Sequence, residues 1–338
     1  MENGKRKTVN GKRLNRYKTV DACVAGEAVR LLVEGAPGVK GRTMMDKLAW
    51  LRRHGEPLRK ALMLEPRGHA GMHGALFTEP VLPKAHAGLL FMNAGGFPLV
   101  SGEAVMAAVT IAVEQKIIQV DSDELYIDTP AGLLTARPIR VDVTGTSRVG
   151  GISMTGLPGF VQSGALPVQL GNRTVLVDVA FGGEFFAIAD SEAVGIPIDP
   201  DHAPELIRAA ARLREAVEAA LRVSHPNLSA MHGVMLTAPA RRGGDLCSAT
   251  VLDGGVLRRS PGVTGTIALM AVLDAMGIVG ETHTFIHEGL IGTSLVGRVL
   301  RRQNVNEMPI VLPLIETPVS ITGYHEFVVE ENGVYFKI

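Results

Sequence analysis

The chain is 338 residues long, about twice the length of a common domain, so two lobes or one large domain are expected, with a substantial core. Lysine plus arginine number 34, as do aspartate plus glutamate, and 46% of residues are hydrophobic against 20% charged; this excludes a small stapled scaffold and gives no support to nucleic-acid binding or membrane-surface attachment. Two cysteines, Cys23 and Cys247, cannot make a disulfide framework and no C-x-x-C pair offers zinc ligands, so no metal is expected and a reducing cytoplasm is the expected location.

Residues 1–19 hold Lys5, Arg6, Lys7, Lys12, Arg13, Arg16 and Lys18 against Glu2 alone, with no apolar stretch behind them. This reads as a basic, flexible, solvated arm and not as a secretory signal. An amphipathic helix is expected at Thr43–His54 and a strand at Gly88–Met92. Ser101-Gly102-Glu103 then introduces Ala104–Val113, AVMAAVTIAV, a helix apolar on every face that must be enclosed. Strands follow at Leu125–Asp128 and Leu133–Arg137. The uncharged run Val149–Asn172 has the length of a membrane span, but its six glycines and two prolines make it strand and loop. Further strands are expected at Arg173–Val179, Phe185–Ala189, Gly233–Thr237 and Ala249–Leu252, and a second amphipathic helix at Glu205–Arg222, after a break at Pro204.

Ser260-Pro261-Gly262-Val263-Thr264-Gly265 precedes Thr266–Met276, TIALMAVLDAM, and repeats the earlier design of a small-residue turn followed by an enclosed helix. The two helix starts lie about 160 residues apart, which suggests two similar halves, each wrapping a sheet around one central helix. The fold class is α/β or α+β. Unpaired N–H groups and the positive dipole end of each helix attract an anion, and glycine lets it approach; if the halves face each other, both helix starts converge on one carboxylate. The alternative is that the glycines merely permit tight helix entry.

Glu65-Pro66-Arg67-Gly68-His69-Ala70-Gly71-Met72-His73-Gly74-Ala75 resembles the EPRGHADMYGA signature of the proline racemase family, which includes 4-hydroxyproline epimerases and trans-3-hydroxy-L-proline dehydratases. Asp178–Ala187 is similar to that family's DVAYGGxFYA segment, and Arg259-Ser260-Pro261 with Thr264-Gly265-Thr266 is similar to its DRSPCGTGT turn. Glu288–Thr293 and Ile321–His325 follow in the expected order. The resemblance implies a diaminopimelate epimerase-like fold of two lobes, each a curved, mainly antiparallel sheet around a central buried helix. The lobes would be residues 20–150 plus 308–338, with central helix 102–115, and residues 151–307, with central helix 264–276. It also implies cofactor-independent chemistry at the α-carbon of a proline-like imino acid sandwiched between the lobes, two thiols acting on opposite faces, and a homodimer.

The departures fall on the chemistry. Where the family has MCGH this chain has Val100-Ser101-Gly102-Glu103, and where it has DRSPCGTG this chain has Arg258-Arg259-Ser260-Pro261-Gly262-Val263-Thr264-Gly265. One thiol has become a hydroxyl, the other has no side chain, and the acidic neighbour of the substrate nitrogen has become Arg258. Inversion by two bases is therefore disfavoured. A serine hydroxyl is far more basic than a thiol, with its reference pKa of about 8.5, and needs a separate general base. Dehydration needs one base, with help for the departing hydroxyl.

Two hypotheses follow. In the first, Ser101 and Glu103 act on one face and Thr264 on the other; Thr264 is alternatively a helix N-cap, and Glu103 alternatively a carboxylate favoured by the helix dipole. The carboxylate would rest on amides of Gly102, Glu103, Val263 and Thr264, with Gly262, Gly265 and His69 also lining the ligand. Arg258 would draw a more anionic ligand, or else point to solvent. In the second hypothesis the protein is a catalytically silent paralogue that binds a small carboxylate or a protein partner. The pairs His69/His73 and His283/His287 have metal-like spacing but no third ligand nearby and read as structural, and Cys23 as a buried small residue.

Overall fold

The computed structural model describes residues 8–9, 12–118, 122–228, 230–280 and 282–330. They fall into two compact units, one drawn from residues 1–152 and 318–338, the other Ser153–Thr317. The first unit contains β1 (Thr8–Val9), β2 (Lys12–Val24), β3 (Glu27–Glu34), α1 (Met44–His54), α2 (Glu56–Met63), β4 (His73–Thr78), β5 (Ala87–Asn93), α3 (Gly102–Glu114), β6 (Leu125–Thr129) and β7 (Gly132–Val143). After β8 (Thr146–Thr155), the second contains β9 (Phe160–Leu170), β10 (Arg173–Phe181), β11 (Phe185–Asp190), α4 (Ser191–Val194), α5 (Ala203–Ala220), β12 (Gly233–Pro239), β13 (Leu246–Leu252), α6 (Val263–Ala275), β14 (Phe285–Glu288) and β15 (Ser294–Val305). The last strand, β16 (Met308–Glu330), pairs with β15 through Met308–Glu316 and with β2 through Val319–Glu330.

The units repeat one topology. In the first, β2 and β3 form an antiparallel hairpin, β3 runs parallel to β4 across α1 and α2, β4 pairs antiparallel with β5, β5 runs parallel to β6 across α3, and β6 pairs antiparallel with β7. In the second, β10, β11, β12, β13, β14 and β15 follow the same sequence of pairings, with α4 and α5 in the first crossover and α6 in the second. The halves inferred from two helix starts are thus the same supersecondary chain written twice.

Each central helix is enclosed because it has no polar face to offer water. In α3 every residue from Gly102 to Ala112 is buried, and the helix packs on β2, β3, β4 and β7; in α6 every residue from Val263 to Leu273 is buried, against β9, β10, β11 and β15. Gly182, between β10 and β11, permits that approach: a Cβ there would lie 2.2 Å from the Thr264 carbonyl oxygen and 2.5 Å from the Ala268 nitrogen. The outer helices are ordinary amphipathic ones. A capping box between Thr43 and Asp46 starts α1, and α5 buries Leu206, Ala209, Ala210, Leu213 and Val217 on one face. Pro204 does not break α5 but sits in its first turn, where the missing N–H has no intrahelical acceptor to lose.

A second repeated device fixes the hairpins beside the central helices. Asp128, at the parallel edge of β6, is buried and accepts from the amides of Val81 and Leu82 at 2.8 and 2.9 Å. Glu288, at the corresponding place in β14, accepts from the amides of Arg241, Arg242 and Gly244 at 2.8 to 2.9 Å. Desolvation pushes the Glu288 carboxyl up, but those amides outweigh it and hold the group below its ordinary range.

Two expectations about organisation are corrected. The solvated arm does not extend to residue 19: Leu14–Thr19 pair with β16, where Thr19 is buried, because Arg16, Lys18 and their neighbours alternate on an extended chain. Residues 1–7, 10 and 11 lie outside the described residues. Residues 308–317 belong to the second unit, since their ladder partner is β15, and the crossing into the first comes at Pro318.

Candidate active site

In the first unit the chemistry gathers where α3 begins. Ser101 is extended, φ −142° and ψ 110°, and caps the helix by accepting from the Ala104 amide at 3.3 Å. Behind it stands His73, the first residue of β4, held in register between Val29 of β3 and Asn93 of β5. Its Nδ1 lies 3.0 Å from Ser101 Oγ. A hydroxyl has one proton and two acceptor sites, so with the Ala104 N–H on one of them its proton is available to His73 Nδ1 when the imidazole carries its hydrogen on Nε2. Ser101 is only 7% exposed and Glu103, in the first turn, 2%. A carboxylate at that point is favoured by the helix dipole.

In the second unit the corresponding cap is Gly262, with φ 81° and ψ 129°, a conformation that side-chain-bearing residues rarely adopt. Its amide donates to Ser260 Oγ at 3.1 Å, and Arg258 Nη2 approaches the same oxygen at 3.4 Å. The Arg258 amide donates to the Thr250 carbonyl at 2.8 Å, anchoring the turn to β13. Val263, Thr264 and Gly265 fill the first helical turn, all buried. One turn in, Thr266 Oγ1 lies 2.8 Å from the Gly262 carbonyl and 2.9 Å from His287 Nδ1. His287 is fully buried on β14, Nε2 has no hydrogen-bond partner among the described residues, and desolvation lowers the imidazole to about 3, so it is neutral.

The expected residues therefore fall into two groups, one in each unit. Ser101, Gly102 and Glu103 stand together at the start of α3, and Arg258, Gly262, Val263, Thr264 and Gly265 at the start of α6. His69 is half-buried in the turn before β4, where its carbonyl accepts from Met72. Thr264 is not an N-cap: Gly262 occupies that position, with no side-chain cap. Arg258 does not point to solvent; it is 5% exposed. The pair His69/His73 is not a ligand pair, since His73 is engaged with Ser101. Among the described residues no three His, Cys, Asp or Glu side chains are grouped to hold a metal. Sequence reasoning missed the His73–Ser101 contact. Its only sequence signal was a coincidence, histidine where the EPRGHADMYGA signature has tyrosine and serine where MCGH has cysteine, and the two positions are 28 apart in the chain.

The electrostatic character of the two helix starts differs: α3 has a buried carboxylate in its first turn, whereas α6 has no acidic residue there and a buried guanidinium just before it. A repeated unit of curved sheet around one enclosed helix defines the epimerase-like class of two-lobed α+β proteins. The phenazine biosynthesis protein of the PhzF family from Bacillus anthracis shares this fold at 10% identity and a TM-score of 0.60, covering 92% of this chain and 99% of that one. A hydroxyproline epimerase from Agrobacterium vitis, solved with bound trans-4-hydroxy-L-proline, superposes with a TM-score of 0.85 at 25% identity, covering 94% of this chain and 92% of that one. The chain belongs to the proline racemase family: that family's model, described as proline racemase, matches residues 19–336. It is 33% identical over 323 residues to a proline racemase of Clostridioides difficile and 32% identical over 320 residues to a trans-3-hydroxy-L-proline dehydratase of Bacillus cereus, in each case over 93% of this chain and 95% of the relative. No helix among the described residues is long and apolar enough to cross a membrane.

Proposed function

We propose that the protein acts at the α-carbon of a hydroxyproline-like imino acid and eliminates water, as a trans-3-hydroxy-L-proline dehydratase does. The observation that carries this reading is the asymmetry of two equivalent positions: the cap of α3 is the hydroxyl-bearing Ser101, and the cap of α6 is Gly262, which has no side chain. Inverting a stereocentre needs a proton acceptor on one face and a donor on the other; elimination needs one acceptor for the α-proton and an acid for the leaving hydroxyl. Ser101 takes the first role and Thr264, near the start of α6, the second. The N-terminal amides of α3 suit the substrate carboxylate. In the step, the Cα–H electrons become the Cα=Cβ bond, the Cβ–O bond breaks, and the hydroxide leaves as water with a proton from Thr264. The enamine then tautomerises to the cyclic imine.

A second reading, a carboxylate-binding paralogue without turnover, is favoured by one feature, the burial of two charged groups, Glu103 and Arg258, at the helix starts. Incubation of the protein with trans-3-hydroxy-L-proline decides between them. Formation of the cyclic imine is expected, carrying solvent deuterium at Cβ when the reaction is run in heavy water. No product and no exchange would remove the enzymatic reading, and calorimetric titration with pyrrole-2-carboxylate would then ask whether the anion cradle binds at all.

A further inference from the structure

We infer that His73 is the general base behind Ser101: a positioning residue that holds the hydroxyl's proton and so makes a serine competent to abstract a proton from carbon. This deepens the proposed function and rests on it.

Three observations converge. The His73 Nδ1 to Ser101 Oγ distance, 3.0 Å, is that of a made hydrogen bond. The Ala104 amide at 3.3 Å takes one acceptor site of the same oxygen, so the hydroxyl keeps its single proton available for an unprotonated Nδ1. The histidine is itself immobilised, since β4 is paired on both sides and Gly74 beside it is walled by Met63 and Met92, whose side-chain atoms a Cβ there would meet at 2.7 to 2.8 Å. A serine hydroxyl alone is too weak an acid to be a useful base through its anion near neutrality. Paired with a neutral imidazole it relays a proton without ever existing as a free alkoxide.

The transfer balances. As the Cα–H bond breaks, its proton goes to Ser101 Oγ and the Ser101 proton goes to His73 Nδ1, which becomes imidazolium. The proton that Thr264 gives to the departing hydroxide is made good, through solvent, by the one His73 releases. Nothing else is consumed. The same pair explains why the first helix can dispense with a thiol: a cysteine is acidic enough to act unaided, whereas a serine needs a partner, and the chain places one across the gap between β4 and α3.

The test separates proton acceptance from mere support. His73→Asn keeps a hydrogen-bonding group near the Nδ1 position but cannot take a proton; its melting temperature reports whether the fold survives. With trans-3-hydroxy-L-proline as probe, His73→Asn is expected to lower kcat by about 10² to 10⁴-fold with KM little changed, the span typical of a lost general base. Introducing Ser101→Cys into the His73→Asn protein is expected to restore turnover, because a thiolate needs no imidazole. Turnover of His73→Asn at the wild-type rate, or failure of cysteine to rescue a folded double variant, would overturn the inference while leaving the proposed function in place. If the wild-type protein neither dehydrates nor exchanges the probe, the proposed function falls instead, and nitrogen NMR of the labelled histidines reads the pair directly. An unprotonated His73 Nδ1 whose resonance moves in Ser101→Ala supports the inference; a protonated Nδ1 refutes it.

Discussion

His287 makes the second unit acid-labile, by an amount that can be worked out. Its ring is fully buried on β14, Nδ1 is bonded to Thr266 Oγ1 at 2.9 Å, and burial lowers the group from 6.5 to about 3. Above 6.5 both folded and unfolded states hold a neutral ring and the group contributes nothing to pH dependence. Between 6.5 and about 3 the unfolded chain binds a proton that the folded chain refuses, so stability falls as pH falls, by about 1.4 kcal/mol per unit. From neutrality to about pH 5 the loss from this one residue is about 2 kcal/mol. His287→Asn keeps a polar group near Nδ1 to face Thr266 and removes the titration. It adds a pH-independent cavity cost of about 1–3 kcal/mol. Urea denaturation of both proteins from about pH 7.5 to about pH 5, followed by a probe in the second unit, should show the wild-type curve descending more steeply, so that the gap between the two proteins narrows by about 2 kcal/mol. Parallel curves would refute the argument, since every other titrating group is common to both.

Other consequences follow from the packing around the helix starts. Gly182→Ala drives a methyl into the α6 backbone and should destabilise by more than about 2 kcal/mol, whereas Gly280→Ala, with nothing within 4 Å of its Cβ, should change a chemical-denaturation midpoint little. Glu288→Gln removes the charge that gathers the amides of Arg241, Arg242 and Gly244; a loss of about 1–3 kcal/mol is expected, with faster hydrogen exchange at those amides, and unchanged exchange would show the clamp to be idle. Ser101→Ala should cost about 1 kcal/mol through the lost cap, a small effect in a melting curve, while abolishing dehydration of trans-3-hydroxy-L-proline; retained turnover would exclude Ser101 as the base.

The amino-acid sequence determined the two enclosed helices outright: AVMAAVTIAV and TIALMAVLDAM leave no face for water, and small residues at each start mark where the backbone must turn tightly. The duplicated architecture was legible from those two helices, and the family from motifs spread along the chain. The long strand β16 was not, because Pro309, Pro313 and Pro318 read against a strand although the alternation of buried Val311, Pro313, Ile315, Thr317 and Val319 with more exposed neighbours runs through them, and its partners β15 and β2 lie at opposite ends of the chain order. Nor did local pattern reveal that residues 14–19 are a strand, since β2 depends on pairing with that distant segment. At the site, sequence supplied the residue types and tertiary structure supplied their company. Arg258 reads as a ligand contact or a solvent-facing charge until the turn buries it beside Ser260, and Thr264 as a catalytic hydroxyl or a cap until Gly262 takes the capping place. His73 and Ser101 read as unrelated residues until β4 and the start of α3 bring them within a hydrogen bond. The reason is the same in each case: enclosure depends on a residue's own neighbours in the chain, whereas a proton's destination depends on which distant strand lies behind it.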